Sequence, residues 1–264
     1  MIFIGFIALI GIGLVLGSIG AGGSMLAIPV LVYLFAMDME TASAYSLFLV
    51  GATSLTGAMM KQKERGICLR TALTFGLPSI TAAFITRKWI VVSLPKIWLS
   101  TDNIVITKHH ILLTIFCLMM SASAILLLRR ERNTTVCNVA PRRLHLIGFG
   151  LATGLCAGLV GAGGGFMIIP ALILFAGLPF SIAAGTSLLI IAFNSLLGFC
   201  GDVLNRPINW WFLSLATALA ISGLVLGSLW RGRISARISP QRTFAWFTLI
   251  VVAAMLTRLV FVGS

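Results

Sequence analysis

Long apolar stretches alternate along the chain with short polar, mainly basic clusters. Six of them, at 41–60, 71–86, 110–128, 180–201, 210–230 and 243–262, approach the roughly 20 residues that carry a helix across a ~30 Å hydrocarbon core, so each predicts a membrane-spanning helix. Two other stretches are too long for one crossing. Positions 2–36 hold no charge over 35 residues, and 144–178 hold only His145. At ~1.5 Å per residue either would make a straight helix of roughly 52 Å, well beyond what the bilayer needs. Both must be broken, and a knot of small residues lies near the middle of each: Gly20-Ala21-Gly22-Gly23-Ser24 and Gly161-Ala162-Gly163-Gly164-Gly165. A proline, Pro29 or Pro170, follows five residues later and predicts a structural hinge.

Set against itself at an offset of 141 residues, the chain superimposes Gly13 on Gly154, Gly17 on Gly158 and Gly20, Gly22 and Gly23 on Gly161, Gly163 and Gly164. The same register continues through Pro29/Pro170, Ala42/Ala183, Ser46/Ser187, Leu47/Leu188, Ser54/Ser195, Gly57/Gly198 and Arg65/Arg206. Glycine is common in membrane helices, but that does not explain one shared offset from Gly13 to Ile67. The fold class expected is therefore an all-α polytopic membrane protein built of two homologous halves. Residues 1–128 form the first repeat, 129–143 a basic cytoplasmic linker and 144–264 the second repeat.

Composition agrees: 59% of the 264 residues are hydrophobic and only 9% are charged, against roughly 25% charge in a soluble domain. The net charge of +13 would suit nucleic acid if it formed a patch on a soluble fold. Here the basic residues fall between apolar runs, as cytoplasmic loops require, so no nucleic-acid partner is expected. Met1-Ile2-Phe3-Ile4 lacks the positive flank of a cleavable signal peptide and belongs to a segment with a mid-chain counterpart, so it is expected to be part of the fold. Five cysteines without C-x-x-C spacing and three scattered histidines give no metal or disulfide framework, and no cofactor is expected.

The basic residues also weigh two ways of breaking the long segments. If each knotted segment crosses once, the chain has eight passes, parallel repeats and Lys/Arg divided 11 to 8 between the two sides. If each is a re-entrant hairpin, each half has three full passes and the halves are inverted. Loops 61–70, 129–143 and 231–242 then share one side with 13 basic residues, against 6 elsewhere. The positive-inside rule favours the hairpins, with those loops cytoplasmic.

Non-helical backbone at membrane depth needs protein or a water-filled cavity around it. Past each knot a new half-helix starts, near Ser24 and Gly165, with its N–H groups and positive dipole end facing the break. Two such termini meeting at one centre would hold an anion, and successive glycine amides can form a concave nest for an oxyanion. Gly20, Gly22, Gly23, Ser24, Gly161, Gly163, Gly164 and Gly165 are therefore candidate substrate contacts. A polar stripe follows each knot: Ser46 and Thr53 in the first half, and Thr186, Ser187 and Asn194 in the second. Seven-residue steps place Ser46 with Thr53 and Ser187 with Asn194 on one helix face, where they could line a cavity, although such hydroxyls also bond their own helix. Asn194 stands out because an amide deep in a span needs partners. Gly13-x-x-x-Gly17 and Gly154-x-x-x-Gly158 read as close-packing faces. The knots miss the third glycine of a dinucleotide fingerprint. No acidic residue lies in the middle of a span.

The motifs Gly161-Ala162-Gly163-Gly164-Gly165 through Pro170, Gly177-Leu178-Pro179, Ala184-Gly185-Thr186-Ser187-Leu188 and Ser195-x-x-Gly198 resemble the sulfite exporter TauE/SafE family of membrane transporters. The resemblance covers nearly the whole chain. The first half departs from it, with Ser24 in place of Gly165 and Ala44-Tyr45-Ser46 in place of Gly185-Thr186-Ser187, so the second knot is the stronger candidate for substrate contact. The resemblance implies a non-enzymatic secondary transporter that exports sulfite or a small organosulfonate across the bacterial inner membrane. A coupling ion, proton or sodium, and the lipid bilayer would be its other partners. A transporter or channel for another small anion and a non-transporting membrane scaffold are the alternatives.

Overall fold

A computed structural model describes residues 2–19, 26–63, 66–90, 97–101, 104–129, 143–160, 165–203, 208–234 and 240–262. The described residues form α1 (Ile2–Ile19), α2 (Ala27–Leu34), α3 (Met39–Lys63), α4 (Leu69–Ile85) and α5 (Lys108–Arg129) in the first half. The second half repeats them as α6 (Arg143–Val160), α7 (Gly165–Phe175), α8 (Phe180–Val203), α9 (Trp210–Ile234) and α10 (Pro240–Val262). Among the described residues the fold is all-helical apart from a short antiparallel hairpin, β1 (Ile97–Thr101) and β2 (Ile104–Thr107), between α4 and α5, and α4 runs on into a π-helical turn over Thr86–Ile90.

The apolar stretches become helices of the expected extent, and each of the two overlong ones holds two helices, one on either side of its knot. α1 is followed by the eight-residue α2, and α6 by the eleven-residue α7. Within each pair the chain doubles back. Phe35, just past α2, packs its ring 5.4 Å from that of Phe6 near the start of α1. Phe175, at the end of α7, stacks on Phe149 near the start of α6. Both half-helices stop in the same way: Ala36 (φ 52°) and Gly177 (φ 64°) adopt left-handed backbone. The following amides of Met37 and Leu178 donate back to the Leu31 and Leu172 carbonyls, 3.3 Å each, a C-terminal motif that satisfies carbonyls a helix end would otherwise leave open. Pro29 lies in the first turn of α2, where its missing N–H costs no helical bond, and Pro170 lies inside α7.

Packing repeats when the halves are exchanged. α1 packs along α9, and α6 along α4; α4 rests on α8, and α9 on α3; α2 and α7 lie on α3 and α8. Two equivalent pairs, α3 with α8 and α5 with α10, pack on each other. The glycine faces read from the sequence make the first set of contacts. Gly13 and Gly17 lie against the Ala220 and Leu224 carbonyls of α9, and Gly154 against the Ser79 carbonyl of α4. A Cβ on Gly150 would stand 2.6 Å from the Phe75 carbonyl oxygen. Both pairs run parallel, since residue number rises together along the two helices. α3 and α8 run antiparallel, because Gly51 meets Leu196 while Gly57 meets Leu188.

Much of the outer surface is apolar, with Phe3, Leu144 and Leu229 among the exposed side chains. Trp89, Trp210 and Trp211 are exposed near helix ends, where indole rings suit the bilayer interface. By length and composition, three helical segments among the described residues are able to cross a membrane: Thr41–Gln62, Phe180–Val203 and Trp210–Leu229.

Candidate functional site

The antiparallel crossing of α3 and α8 forms the middle of the bundle. A Cβ on Gly51 would stand 3.2 Å from the Leu196 amide nitrogen, so the two backbones nearly touch beside Ser195. On a 3.6-residue helix Ser54 falls on the arc between Gly51 and Gly57, the two α3 glycines that meet α8.

Polar side chains gather along these helices. Ser46, Thr53, Ser54, Thr186, Ser187, Asn194 and Ser195 are all buried. Several are engaged within the protein. Ser46 donates to the Ser43 carbonyl at 2.8 Å, Thr53 to Leu49 at 2.7 Å and Ser187 to Ala184 at 2.8 Å. These hydroxyls therefore bond their own helix backbone. The Thr186 hydroxyl accepts the Cys68 N–H at 3.0 Å, at the start of α4. The Tyr45 hydroxyl accepts the Asn209 N–H at 2.7 Å, at the start of α9. Tyr45 matches Thr186 in the repeat and Cys68 matches Asn209, so one bond is made twice. The residue difference that sets the halves apart in sequence preserves a shared contact.

Asn194 behaves differently. Its Nδ2 donates to Ser79 Oγ of α4 at 3.0 Å, while its Oδ1 has no partner. Ser54 Oγ and Ser195 Oγ, equivalent in the two halves, are also buried without partners. Ser79 was not legible as a site residue, since it lies in an ordinary apolar helix and is reached only through packing. Ser54 and Ser195 did carry a signal, as identities at the repeat offset.

Gly20, Gly22, Gly23, Ser24, Gly161, Gly163 and Gly164 lie outside the described residues, as does most of the linker 129–143. Just beyond the knots, Gly165 is buried at the start of α7, and Leu26, before α2, provides no side-chain cap. The first turns of both half-helices, with Ala27, Ile28, Ile168 and Ile169, belong to the same buried cluster as Leu49, Val50, Ile190 and Ile191 from the middles of α3 and α8. The N-terminal ends of α2 and α7 are thus held inside the protein beside the crossing.

The two ends of this centre differ. At one, the rings of Phe6, Phe35, Tyr45 and Phe212 lie 5.0 to 6.3 Å from one another in successive pairs. Their repeat counterparts are Ile147, Ala176, Thr186 and Thr71, which are smaller.

An all-α bundle with an apolar exterior, internal half-helices and a buried uncharged polar centre is that of a membrane transporter. The sequence profile of the sulfite exporter TauE/SafE family matches residues 4–259, and the chain belongs to that family. A "probable membrane transporter protein" of Xylella fastidiosa is 28% identical over 92% of this chain and 88% of its own length. YunE of Bacillus subtilis, named in the same terms, is 23% identical over 98% of each chain. MJ0441 of Methanocaldococcus jannaschii, also so named, is 26% identical over 91% of this chain and 87% of its own.

Proposed function

We propose that the protein is a secondary transporter that carries a small sulfur oxyanion or organosulfonate out across the bacterial inner membrane. One observation carries this reading: two half-helices begin inside the bundle, and α2 does so without a side-chain cap. Unsatisfied N–H groups and the positive dipole end at a helix start favour an anion. The knot residues Gly20, Gly22, Gly23, Ser24, Gly161, Gly163, Gly164 and Gly165 would line its approach. The family name supports sulfite or a sulfonate as the cargo.

In this reading the halves are inverted repeats, each with one hairpin and three passes. The antiparallel course of α3 and α8 supports that arrangement, since parallel repeats would set equivalent helices running the same way. The doubling back at Phe35/Phe6 and Phe175/Phe149 supports the hairpins. Loops 61–70, 129–143 and 231–242 are assigned to the cytoplasm on their charge. The bonds at Thr186 and Tyr45 then lie near opposite membrane faces and tie α4 and α9 to the central pair. A coupling ion, proton or sodium, would drive the anion, and no covalent chemistry is required.

The test is efflux from proteoliposomes loaded in turn with sulfite, thiosulfate, sulfoacetate and sulfate. Flux of one or more of these by the wild type, lost in Gly163→Leu protein that still elutes as a folded species, is expected. Absence of flux for every anion would defeat the reading.

A further inference from the structure

The halves share their helices and their contacts, yet rings crowd one end of the central pair. Phe35, just past α2, lies 5.4 Å from Phe6 of α1 and 5.0 Å from Phe212 of α9, and Phe212 lies 5.9 Å from Tyr45 of α3. A second set adjoins the first. Phe48 of α3 is 4.9 Å from Phe199 of α8, and Trp210 of α9 lies 6.3 Å from Phe48 and 6.1 Å from Phe199. At the repeat offset, Ile147, Ala176, Thr186 and Thr71 take the places of the first set, and Leu189, Ala58 and Leu69 those of the second. Among the described residues the rings at that other end form two separate pairs, Phe149 with Phe175 and Phe180 with Phe244.

Phe35 has a seat on α1. A Cβ on Gly5 would stand 2.6 Å from its ring, so the bare glycine backbone makes room for it. The repeat counterpart of Gly5 is Leu146. The rings border a buried apolar cluster that is separate from the main core and gathers α2, α3, α8 and α9 through Leu31, Tyr45, Leu47, Phe199 and Leu213. Ala36 and Asp38, next along the chain, are exposed, so this is the last packed layer before the surface. At the other end the matching places hold small and polar groups. Thr186 accepts the Cys68 N–H there, and Cys68 Sγ lies 3.2 Å from Thr71 Oγ1.

A closed layer of rings bars an ion, which would have to shed its water to enter. Edge-to-face ring pairs also attract beyond the area they bury, so opening this end separates contacts that the other end does not have. In inverted repeats, opening to one side is opening to the other with the halves exchanged. Equal halves would open equally easily, and the rings break that balance.

We propose that these rings form a gate at the end of the bundle opposite the basic loops, with Phe35 as its moving part. The carrier opens outward only when Phe35 leaves Gly5, Phe6 and Phe212. It rests closed on that side and loads its anion from the cytoplasm. The gate rests on the transport function and the inverted arrangement proposed above. Phe35 is suited to the movement because it ends an eight-residue helix and is followed by left-handed backbone at Ala36.

The test joins Phe35→Cys to Phe212→Cys, in protein whose five native cysteines are alanine, with a short bifunctional thiosulfonate that a reductant removes. Linkage should lower anion flux in proteoliposomes by roughly tenfold or more, and reductant should restore it. Either single variant given the same reagent should keep its flux. Restoration separates a locked gate from a lost fold. Linked protein that transports as fast as the reduced form would overturn the proposal, and so would a pair that the reagent cannot join. If the double variant does not assemble, Phe212→Leu decides. Ser46→Cys, fully buried and next to Tyr45 on α3, is then the reporter. In intact cells a membrane-impermeant maleimide should label it about threefold faster or more with Phe212→Leu than with Phe212 present, and equal rates would overturn the gate. Wild-type flux with an unaffected linked variant refutes the gate alone. Absence of wild-type flux for every anion refutes the transport function, and the gate falls with it.

Discussion

Thr186→Val removes a hydroxyl while keeping the side chain's shape, and it tests the bond that ties α4 to α8. Thr186 is fully buried, and its Oγ1 accepts the Cys68 N–H at 3.0 Å. Valine leaves that N–H without its acceptor, and a buried donor so orphaned costs about 1–3 kcal/mol. Cys68 is only half-buried, so water recovers part of the loss and about 1–2 kcal/mol is expected. At ~2–4 °C per kcal/mol this lowers the unfolding midpoint by roughly 2–8 °C. Thr186→Ser retains the acceptor and should lose less than half as much. Thr81→Val is the control, because the Thr81 hydroxyl is exposed and bonds only its own helix. The assay is fluorescence-detected thermal unfolding in detergent at fixed salt. Tyr45→Phe should lose a similar amount, since the ring stays against Phe212 while the 2.7 Å acceptor for Asn209 is removed. If Thr186→Val matched wild type, or if the serine variant fell equally, the bond would not be what holds the start of α4.

Three further outcomes are expected. Gly177→Ala places a Cβ on left-handed backbone (φ 64°) and should cost about 1–2 kcal/mol, read as a lower unfolding midpoint. Gly150→Leu, in the tight α6–α4 face, should destabilise by at least about 1–3 kcal/mol and reduce the folded fraction on gel filtration, while Gly148→Leu, where a Cβ meets nothing within 4 Å, should not. Ser79→Ala leaves the Asn194 amide N–H groups unpartnered and should cost about 1–3 kcal/mol by the same unfolding assay.

The all-helical layout can be read from the sequence, because helix length in a bilayer is fixed by thickness. Gly13, Gly17 and Gly154 were legible as packing positions, since small residues four apart allow backbones to approach. The partners they choose were not: α1 pairs with α9 and α6 with α4, and no local pattern encodes that choice. Thr186 and Tyr45 look dissimilar in sequence and do the same work, because a hydroxyl on a short chain and one on a long ring can reach equivalent amides. Asn194 was legible as a group in need of partners. That its partner is Ser79, and that Ser54 and Ser195 lack one, comes only from how α3, α4 and α8 meet. The hairpin Ile97–Thr107 was not legible, because a strand pair of this length is a weak signal beside long helices.

Counterflow measures the proposed transport most directly, because a carrier that presents one internal site to each side in turn exchanges its anion across the membrane. Proteoliposomes loaded with an excess of unlabelled sulfite, thiosulfate, sulfoacetate or sulfate are diluted into a trace of the same anion carrying a radiolabel, with no ion gradient imposed. An alternating carrier predicts transient accumulation of label above equilibrium, abolished in Gly163→Leu protein that remains folded. Label that only equilibrates, or wild-type vesicles indistinguishable from empty ones with every anion, would contradict the account.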